Sequence, residues 1–181
     1  MAEAFISQRG SLGGITINGQ EIMDVVFEET INKGDRVVMR RSTLPSLKVE
    51  DPSTLPTGTA YGCAFSPDGT YLAVAHSSSP YITIYKRSGD TFAKLNNPSV
   101  LPTGIGYGCA FSPDGTYLAV AHNGSPYITI YKRSGDTFTK LSNPSSLPTG
   151  TGRGCAFSPD GTYLAVAHES SPYITIYKRS G

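Results

Sequence analysis

Three histidines, His76, His122 and His168, lie 46 residues apart, and each ends a copy of the sequence Leu-Ala-Val-Ala-His. Imidazole is a common metal ligand, so convergence of the three would offer a metal site. The uniform spacing argues against this chemistry, because metal sites usually mix ligands within a short span and need supporting hydrogen bonds. We expect each histidine to satisfy a loop at a strand end, with the metal set as the alternative, and we expect no cofactor.

Aromatic residues next to predicted loops are the candidates for binding. One set precedes a predicted hairpin in each copy, and the other follows a Ser-Pro loop. The two sets are Tyr61, Tyr107 and Arg153, and Tyr81, Tyr127 and Tyr173. A loop tyrosine binds protein or sugar partners through its ring and its hydroxyl group. The alternative is that these rings only pack between repeats.

The remaining reactive side chains have simpler explanations. Cys63, Cys109 and Cys155 occupy one equivalent position per copy without the Cys-x-x-Cys spacing, so we expect small buried side chains with free thiols. Asp68, Asp114 and Asp160 each belong to a Pro-Asp-Gly turn, which accounts for them. The chain has no Gly-x-Ser-x-Gly nucleophile motif. Near-identical copies are also poorly suited to an asymmetric catalytic site, so we expect the chain not to be an enzyme.

The repeats that must position these residues are residues 55–100, 101–146 and 147–181. The first two differ at seven of 46 positions, and the third differs from the first at three of 35. Each copy alternates apolar and polar residues on both sides of the Pro-Asp-Gly turn, and two further alternating runs follow. The pattern predicts an all-β fold in which each copy contributes four antiparallel strands.

One stretch carries a family resemblance: the run Ala64–Ala73, followed by Ile82–Tyr85. It resembles the inner hairpin and third strand of WD-repeat and lactonase-like β-propellers. The resemblance implies one propeller blade per copy, about three blades in the chain. Tyr85 stands where the WD pattern has Trp, and Ser77–Pro80 lacks its Asp, so the hydrogen-bonded tetrad of WD repeats is not expected.

The organisation that follows has two parts. Residues 1–35 form an N-terminal β-rich segment that caps or attaches the propeller, and residues 36–181 form the repeats. Residues 36–54 align with the end of a copy and are predicted to be degenerate third and fourth strands, the latter over Ser46–Glu50. Because propellers usually have four to eight blades, we expect either self-association that closes the ring or truncation from a longer array.

Composition limits the function. The net charge of +1 gives no strong field for nucleic acid, and no apolar run has the length of a membrane span or signal peptide. We therefore expect a soluble protein, cytoplasmic or virion-associated, without nucleic acid or membrane partners. Our main interpretation is a non-catalytic scaffold that binds a protein or glycan. The alternatives are a carbohydrate-binding propeller on a phage or cell-surface appendage, and a lactonase-type enzyme, which would need a divalent ion.

Overall fold

The computed structural model describes residues 48–179 and, nearer the N-terminus, two short strands, β1 (Ile15–Ile17) and β2 (Gln20–Ile22). These two strands pair as an antiparallel hairpin. The chain divides into two compact units, Met1–Ser46 and Leu47–Gly181, and the three repeats lie in the second. Apart from β1 and β2, the predicted N-terminal segment of residues 1–35 and the predicted third strand after residue 36 lie outside the described residues.

Residues 48–179 form three antiparallel sheets with no helix, each with its strands in chain order. The first sheet contains β3 (Ala60–Phe65), β4 (Tyr71–His76), β5 (Ile82–Ser88) and β6 (Thr91–Lys94); the second contains β7 (Gly106–Phe111), β8 (Tyr117–His122), β9 (Ile128–Ser134) and β10 (Thr137–Lys140); the third contains β11 (Gly152–Phe157), β12 (Tyr163–His168) and β13 (Ile174–Lys178). This confirms an all-β chain with about three propeller blades. The described segments contain no helix long and apolar enough to cross a membrane.

The turn between the first two strands of each blade forms as the Pro-Asp-Gly motif predicts. The Ser66 hydroxyl donates a hydrogen bond to Asp68 Oδ1 at 2.5 Å, and the Thr70 amide donates to the same oxygen at 3.0 Å. The Ser66 hydroxyl is the main reason that the pKa of Asp68 is lowered to about 2. Gly69 has a φ of 67°, which a residue with a Cβ adopts only with strain. The aspartate therefore has a structural role in the turn.

The core lies between the blades. Successive residues of a strand point to opposite faces, so Ala73 and Ala75 of β4 lie together on the face that packs against the second blade. There they meet the larger Leu118 and Val120 of β8, and all four side chains are fully buried. Small residues on one blade thus make room for large ones on the next. Burial of a side chain such as Leu118 contributes about 1.5–3 kcal/mol to folding.

The first strand of each blade lies at the centre of the arrangement. β7 packs directly against both β3 and β11, whereas β6 and β10 pack mainly on the neighbouring strand of their own sheet. The blades therefore radiate from β3, β7 and β11, with the fourth strands outermost. Within residues 48–179 the ring of blades is not closed.

The stretch before the first blade differs from the prediction. A degenerate fourth strand was expected over Ser46–Glu50, but residues 48–54 contain no strand. Lys48 and Asp51 are exposed and form a salt bridge of 2.9 Å with each other.

The cysteines follow the prediction in chemistry and depart from it in burial at one position. All three are free thiols. Cys109 Sγ lies 3.5 Å from the carbonyl oxygen of Ala73 in the preceding blade, and burial raises the pKa of the Cys109 and Cys155 thiols, to about 12 for Cys155. Cys63 is exposed, because no blade described in the structure packs on that side of β3.

Candidate functional site

A β-bulge interrupts the first strand of every blade at an equivalent position. In the first blade Ala60 pairs with His76 and Gly62 pairs with Ala75, so that Tyr61 is the extra residue. The same shift leaves Tyr107 unpaired in β7 and Arg153 unpaired in β11. Bulges redirect side chains and are frequent beside active sites. Three of the six predicted binding residues therefore occupy one structural position.

Glycine allows these three bulges to approach each other closely. A Cβ atom on Gly62 would lie 2.9 Å from the Tyr107 carbonyl oxygen, and one on Gly108 would lie 3.1 Å from the Cα atom of Gly154. Such distances are too short for a side chain, so the glycines permit backbone contact between neighbouring first strands. The redirected side chains are therefore brought into contact across three blades.

The side chains form a continuous stack, which we call the central stack: Tyr61, Tyr107, Arg153 and Glu169. The ring centroids of Tyr61 and Tyr107 are 5.2 Å apart, and the Arg153 guanidinium carbon lies 4.1 Å from the Tyr107 centroid. A guanidinium at this distance is attracted by the negative face of the ring. The sequence therefore identified three of these residues, and the structure adds their mutual contact.

Glu169 completes the stack through an ion pair with Arg153. Arg153 Nε donates to Glu169 Oε1 at 2.8 Å, and Nη2 contacts the same oxygen. The hydrogen bond from Arg153 lowers the pKa of the Glu169 carboxyl group, and the carboxylate in turn raises the pKa of Arg153. Both side chains are about half exposed, 47% and 48%, so a ligand can reach either charge.

Glu169 is not among the residues predicted from the sequence, although the sequence contains a signal for it. Positions 77, 123 and 169 hold Ser, Asn and Glu, and the bulge positions hold Tyr, Tyr and Arg. The third copy is therefore the only one that gains opposite charges at both positions. The backbone explains why the two positions meet, because the Glu169 amide donates to the Thr151 carbonyl at 3.1 Å, just before the bulge.

The second predicted set stays dispersed. Tyr81, Tyr127 and Tyr173 each follow a Ser-Pro turn in the left-handed backbone region, with φ values of 65°, 68° and 68°. The Tyr81 carbonyl accepts a hydrogen bond from the His76 amide of its own blade at 3.1 Å. No ring contact joins the three tyrosines in the part of the chain that the structure describes. Their binding of a glycan stays a prediction.

Each histidine is likewise held within its own blade. Nε2 of His76, His122 and His168 shares a hydrogen bond with the hydroxyl group of Thr83, Thr129 and Thr175, at 2.9, 2.9 and 3.0 Å. Burial lowers the pKa of His122 to about 4. Among the described residues no three His, Cys, Asp or Glu side chains come together in a group that could hold a metal ion. The alternative metal set is therefore not assembled in residues 48–179.

Comparisons with known proteins define the class to which this fold belongs. Residues 108–181 match the family model described as lactonase, 7-bladed beta-propeller. A search of the curated proteins found no match. The lactonase family model covers the second and third blades from Gly108 onward, and the matched segment therefore contains Arg153 and Glu169.

Solved structures with the same fold are of several kinds. A Bacteroides fragilis protein assigned as a 6-phosphogluconolactonase is 20% identical with a TM-score of 0.61, over 70% of this chain and 36% of its own. The periplasmic gluconolactonase of Pseudomonas aeruginosa is 18% identical with a TM-score of 0.53, over 65% of this chain and 39% of its own. A chain of a mitotic checkpoint complex is 18% identical with a TM-score of 0.55, over 67% of this chain and 38% of its own.

The chain thus spans less than two fifths of the length of these structures. At such identities the likeness shows the fold: residues 48–179 form a lactonase-like and WD-like segment of a β-propeller. The resemblance seen in the sequence is confirmed at this level.

The prediction that the chain is not an enzyme is wrong on these findings, because the matching family model is that of a lactonase and several structures of this fold carry lactonase names. That prediction assumed that near-identical blades cannot build an asymmetric site. The structure shows that near-identical blades do build an asymmetric surface. The third copy differs from the first at three positions, which are residues 60, 61 and 77 in the first copy, and these positions lie together at one end of the first strands. A few substitutions are therefore enough to make that end asymmetric.

Proposed function

We propose that this chain is a lactonase-type β-propeller that hydrolyses the ring ester of a sugar lactone at the central stack, with the Arg153 guanidinium in the role of the divalent ion that we expected such an enzyme to need. The observation that carries the proposal is the lactonase family match over residues 108–181, which contains the charged pair Arg153 and Glu169. Sugar lactones are the substrate class named for two of the structures with this fold. The charged pair supports the proposal because it supplies opposite charges beside exposed aromatic rings.

The tyrosines supply the surface for the substrate ring. Tyr61 is 52% exposed and contacts Tyr107 on its other side, so one face of its ring is held in place by packing. Aromatic rings offer an apolar face together with a hydroxyl group that forms hydrogen bonds. A lactone ring against the edge of Tyr107 would lie beside Arg153, because the guanidinium already contacts the Tyr107 ring and Tyr61 packs on its other side.

Arg153 and Glu169 supply the chemistry. Hydrolysis adds water to the lactone carbonyl carbon, breaks the ring C–O bond and protonates the ring oxygen, giving a hydroxy acid. The Arg153 guanidinium donates hydrogen bonds to the carbonyl oxygen as it becomes negative. The Glu169 carboxylate accepts the proton of the attacking water. When Arg153 turns from Glu169 to the substrate, the carboxylate loses the hydrogen bond that lowers its pKa and becomes a stronger base.

The test is lactone hydrolysis by the 181-residue chain, followed as acid release from glucono-δ-lactone, with the spontaneous rate subtracted. The repeats provide matched variants, because Arg153→Tyr and Glu169→Ser introduce the residues that the first copy has at the same positions. Because the first copy folds with these residues, the substitutions should preserve the fold, and loss of the base should lower kcat about 100-fold or more. The control is Asn96→Ser, which introduces the second copy's residue in the loop after β6 and should keep the wild-type rate.

Two results would contradict the proposal. Acid release that never exceeds the spontaneous rate, at any protein concentration, removes the activity. Wild-type rates in both Arg153→Tyr and Glu169→Ser remove the central stack as its site.

A further inference from the structure

The third blade has an apolar face that no described residue covers. We call it the open third face: Ala156, Tyr163, Ala165, Ile174 and Ile176. Ile174 is 49% exposed and Ile176 is 61% exposed, and a hollow lined by Ala156, Ala165 and Ile176 lies on this face. Exposed apolar patches of this kind mark interaction surfaces.

The other blades show what this face is made to contact. In the first blade the equivalent residues Ile82 and Ile84 are 0% and 3% exposed, because the second blade packs over them. The second blade covers them with Phe111, Leu118 and Val120. The open third face therefore has the composition of a face that packs against another blade of this sequence.

The matching surface lies on the first blade. We call it the open first face: Cys63, Phe65, Leu72, Val74 and Phe92. Phe65 is 54% exposed, whereas its equivalent Phe111 in the second blade is 9% exposed. These residues are the first-blade equivalents of those with which the second blade covers the first. Each chain therefore presents both halves of one interface.

Polar residues at the outer rim make the pairing specific. Between the first and second blades, Tyr71 Oη donates to Asp136 Oδ1 at 2.6 Å, and Lys86 Nζ lies 2.9 Å from Asp136 Oδ2. Arg133 lies over the Tyr71 ring, with its guanidinium carbon 4.8 Å from the centroid. The third blade repeats the first half of this arrangement as Tyr163 and Lys178, and the first blade repeats the second half as Arg87 and Asp90.

We propose that a second copy of this chain packs head to tail on these faces, with the first blade of each copy on the third blade of the other. The interface is heterologous, and two such interfaces in a closed pair give six blades. In that pair Tyr61 of one copy reaches Arg153 of the other, so the central stack continues from copy to copy. The apolar surfaces and the opposite charges of Lys178 and Asp90 favour a second copy over an unrelated partner.

One residue makes this interface weaker than those within the chain. A Cβ on Gly106 would lie 2.5 Å from the carbonyl oxygen of Tyr81 in the preceding blade, and a Cβ on Gly152 would lie still closer to the Tyr127 carbonyl oxygen. The first blade has Ala60 at this position, where the second copy's Tyr173 carbonyl would approach. The methyl group must displace that contact, so Ala60→Gly should tighten the association.

The experiment measures absolute mass by light scattering behind a sizing column, over a range of concentrations of the 181-residue chain. We expect twice the chain mass at high concentration, and about tenfold tighter association for Ala60→Gly. Ile176→Lys should leave only monomer, because it places a charge in the apolar interface. A wild-type chain that stays monomeric at all concentrations, or an Ile176→Lys variant that associates like wild type, overturns the proposal.

A charge exchange tests the pairing without relying on loss of folding. Asp90→Lys and Lys178→Asp should each weaken association about tenfold, because they place like charges together. Combining them in one chain should restore it, because each copy then meets the opposite charge on the other. The matched control is Lys132→Asp, the same change at the equivalent position of the second blade, which should associate like wild type. Failure of the double variant to recover would refute the pairing. The association measured by light scattering tests only the pairing of two copies, and its outcome is independent of whether the protein hydrolyses lactones.

Discussion

The decrease in the free energy of unfolding at acidic pH offers a quantitative test of how the blades are packed. The buried His122 is the main cause of this decrease. The imidazole is fully buried at the end of β8, and its Nε2 shares a hydrogen bond with the Thr129 hydroxyl. Burial lowers the pKa of His122 from 6.5 to about 4. The folded protein therefore holds this side chain neutral, whereas the unfolded chain binds a proton below pH 6.5.

The sign and size of the effect follow from this pKa difference. Because the unfolded state binds more protons between pH 6.5 and 4, the free energy of unfolding falls as the pH falls through this window. Between pH 7 and pH 4.5 the loss from His122 is about 2–3 kcal/mol. His76, whose pKa burial also lowers, adds to the loss in the same direction. The carboxyl group of Asp68, with a pKa of about 2, is still ionised in the folded state at pH 4.5.

The perturbation is His122→Gln, which keeps a polar group near Thr129 and removes the proton-binding site. Urea unfolding of wild type, followed by far-UV circular dichroism, should show a midpoint lower by about 1 M at pH 4.5 than at pH 7. In His122→Gln most of this pH-dependent decrease in the urea midpoint should disappear, although the variant is less stable than wild type at pH 7. Tyr131→Phe is the control: it loses the 2.9 Å hydrogen bond to the Val100 carbonyl but should keep the wild-type pH dependence. Equal pH dependence in wild type and His122→Gln would refute the argument.

Two further predictions concern the central strands. In the monomer, Gly108→Ala should lower the free energy of unfolding by about 1–3 kcal/mol, because its methyl group would lie 3.1 Å from the Gly154 Cα atom, whereas Gly154→Ala meets no atom of its own chain within 4 Å and should be close to neutral. Urea midpoints of the two variants check this, and equal midpoints would contradict the contact. In the Ile176→Lys variant, which we expect to be monomeric, iodoacetamide at pH 8 should alkylate Cys63 within minutes and leave Cys109 and Cys155 unmodified, because Cys63 is exposed in the single chain and burial raises the pKa of the other two thiols. Mass spectrometry of the peptides measures this, and modification of all three at equal rates would show that the blade interfaces open readily.

Local chemistry explains what could be predicted. The Pro-Asp-Gly turn forms through bonds between neighbours such as Ser66, Asp68 and Thr70, which are visible in any one copy of the repeat. The strands follow from alternation, and the 46-residue period identified the blade. The fourth strand predicted over Ser46–Glu50 is described only at residues 48–50, which contain no strand, so alternation alone was not enough there.

Local sequence patterns predicted only part of the candidate site. The sequence places Tyr61, Tyr107 and Arg153 beside predicted loops, but it does the same for Tyr81 and its equivalents. The bulges and the glycine contacts decide between the two sets, because they bring the first into a single stack and leave the second in separate blades. The glycine and ring contacts join residues about 46 positions apart in the chain, and no local sequence pattern encodes such contacts.

The sequence by itself therefore determined the repeat, its turns, its strands and the all-β class, since each depends on residues close together in the chain. Only the tertiary structure decided which face of each blade is buried and that Glu169 joins Arg153 at the central strands. It also decided that Cys63 and Cys109 differ, although their neighbours in sequence are the same. The physical reason is that identical repeats acquire different environments from the blades packed against them.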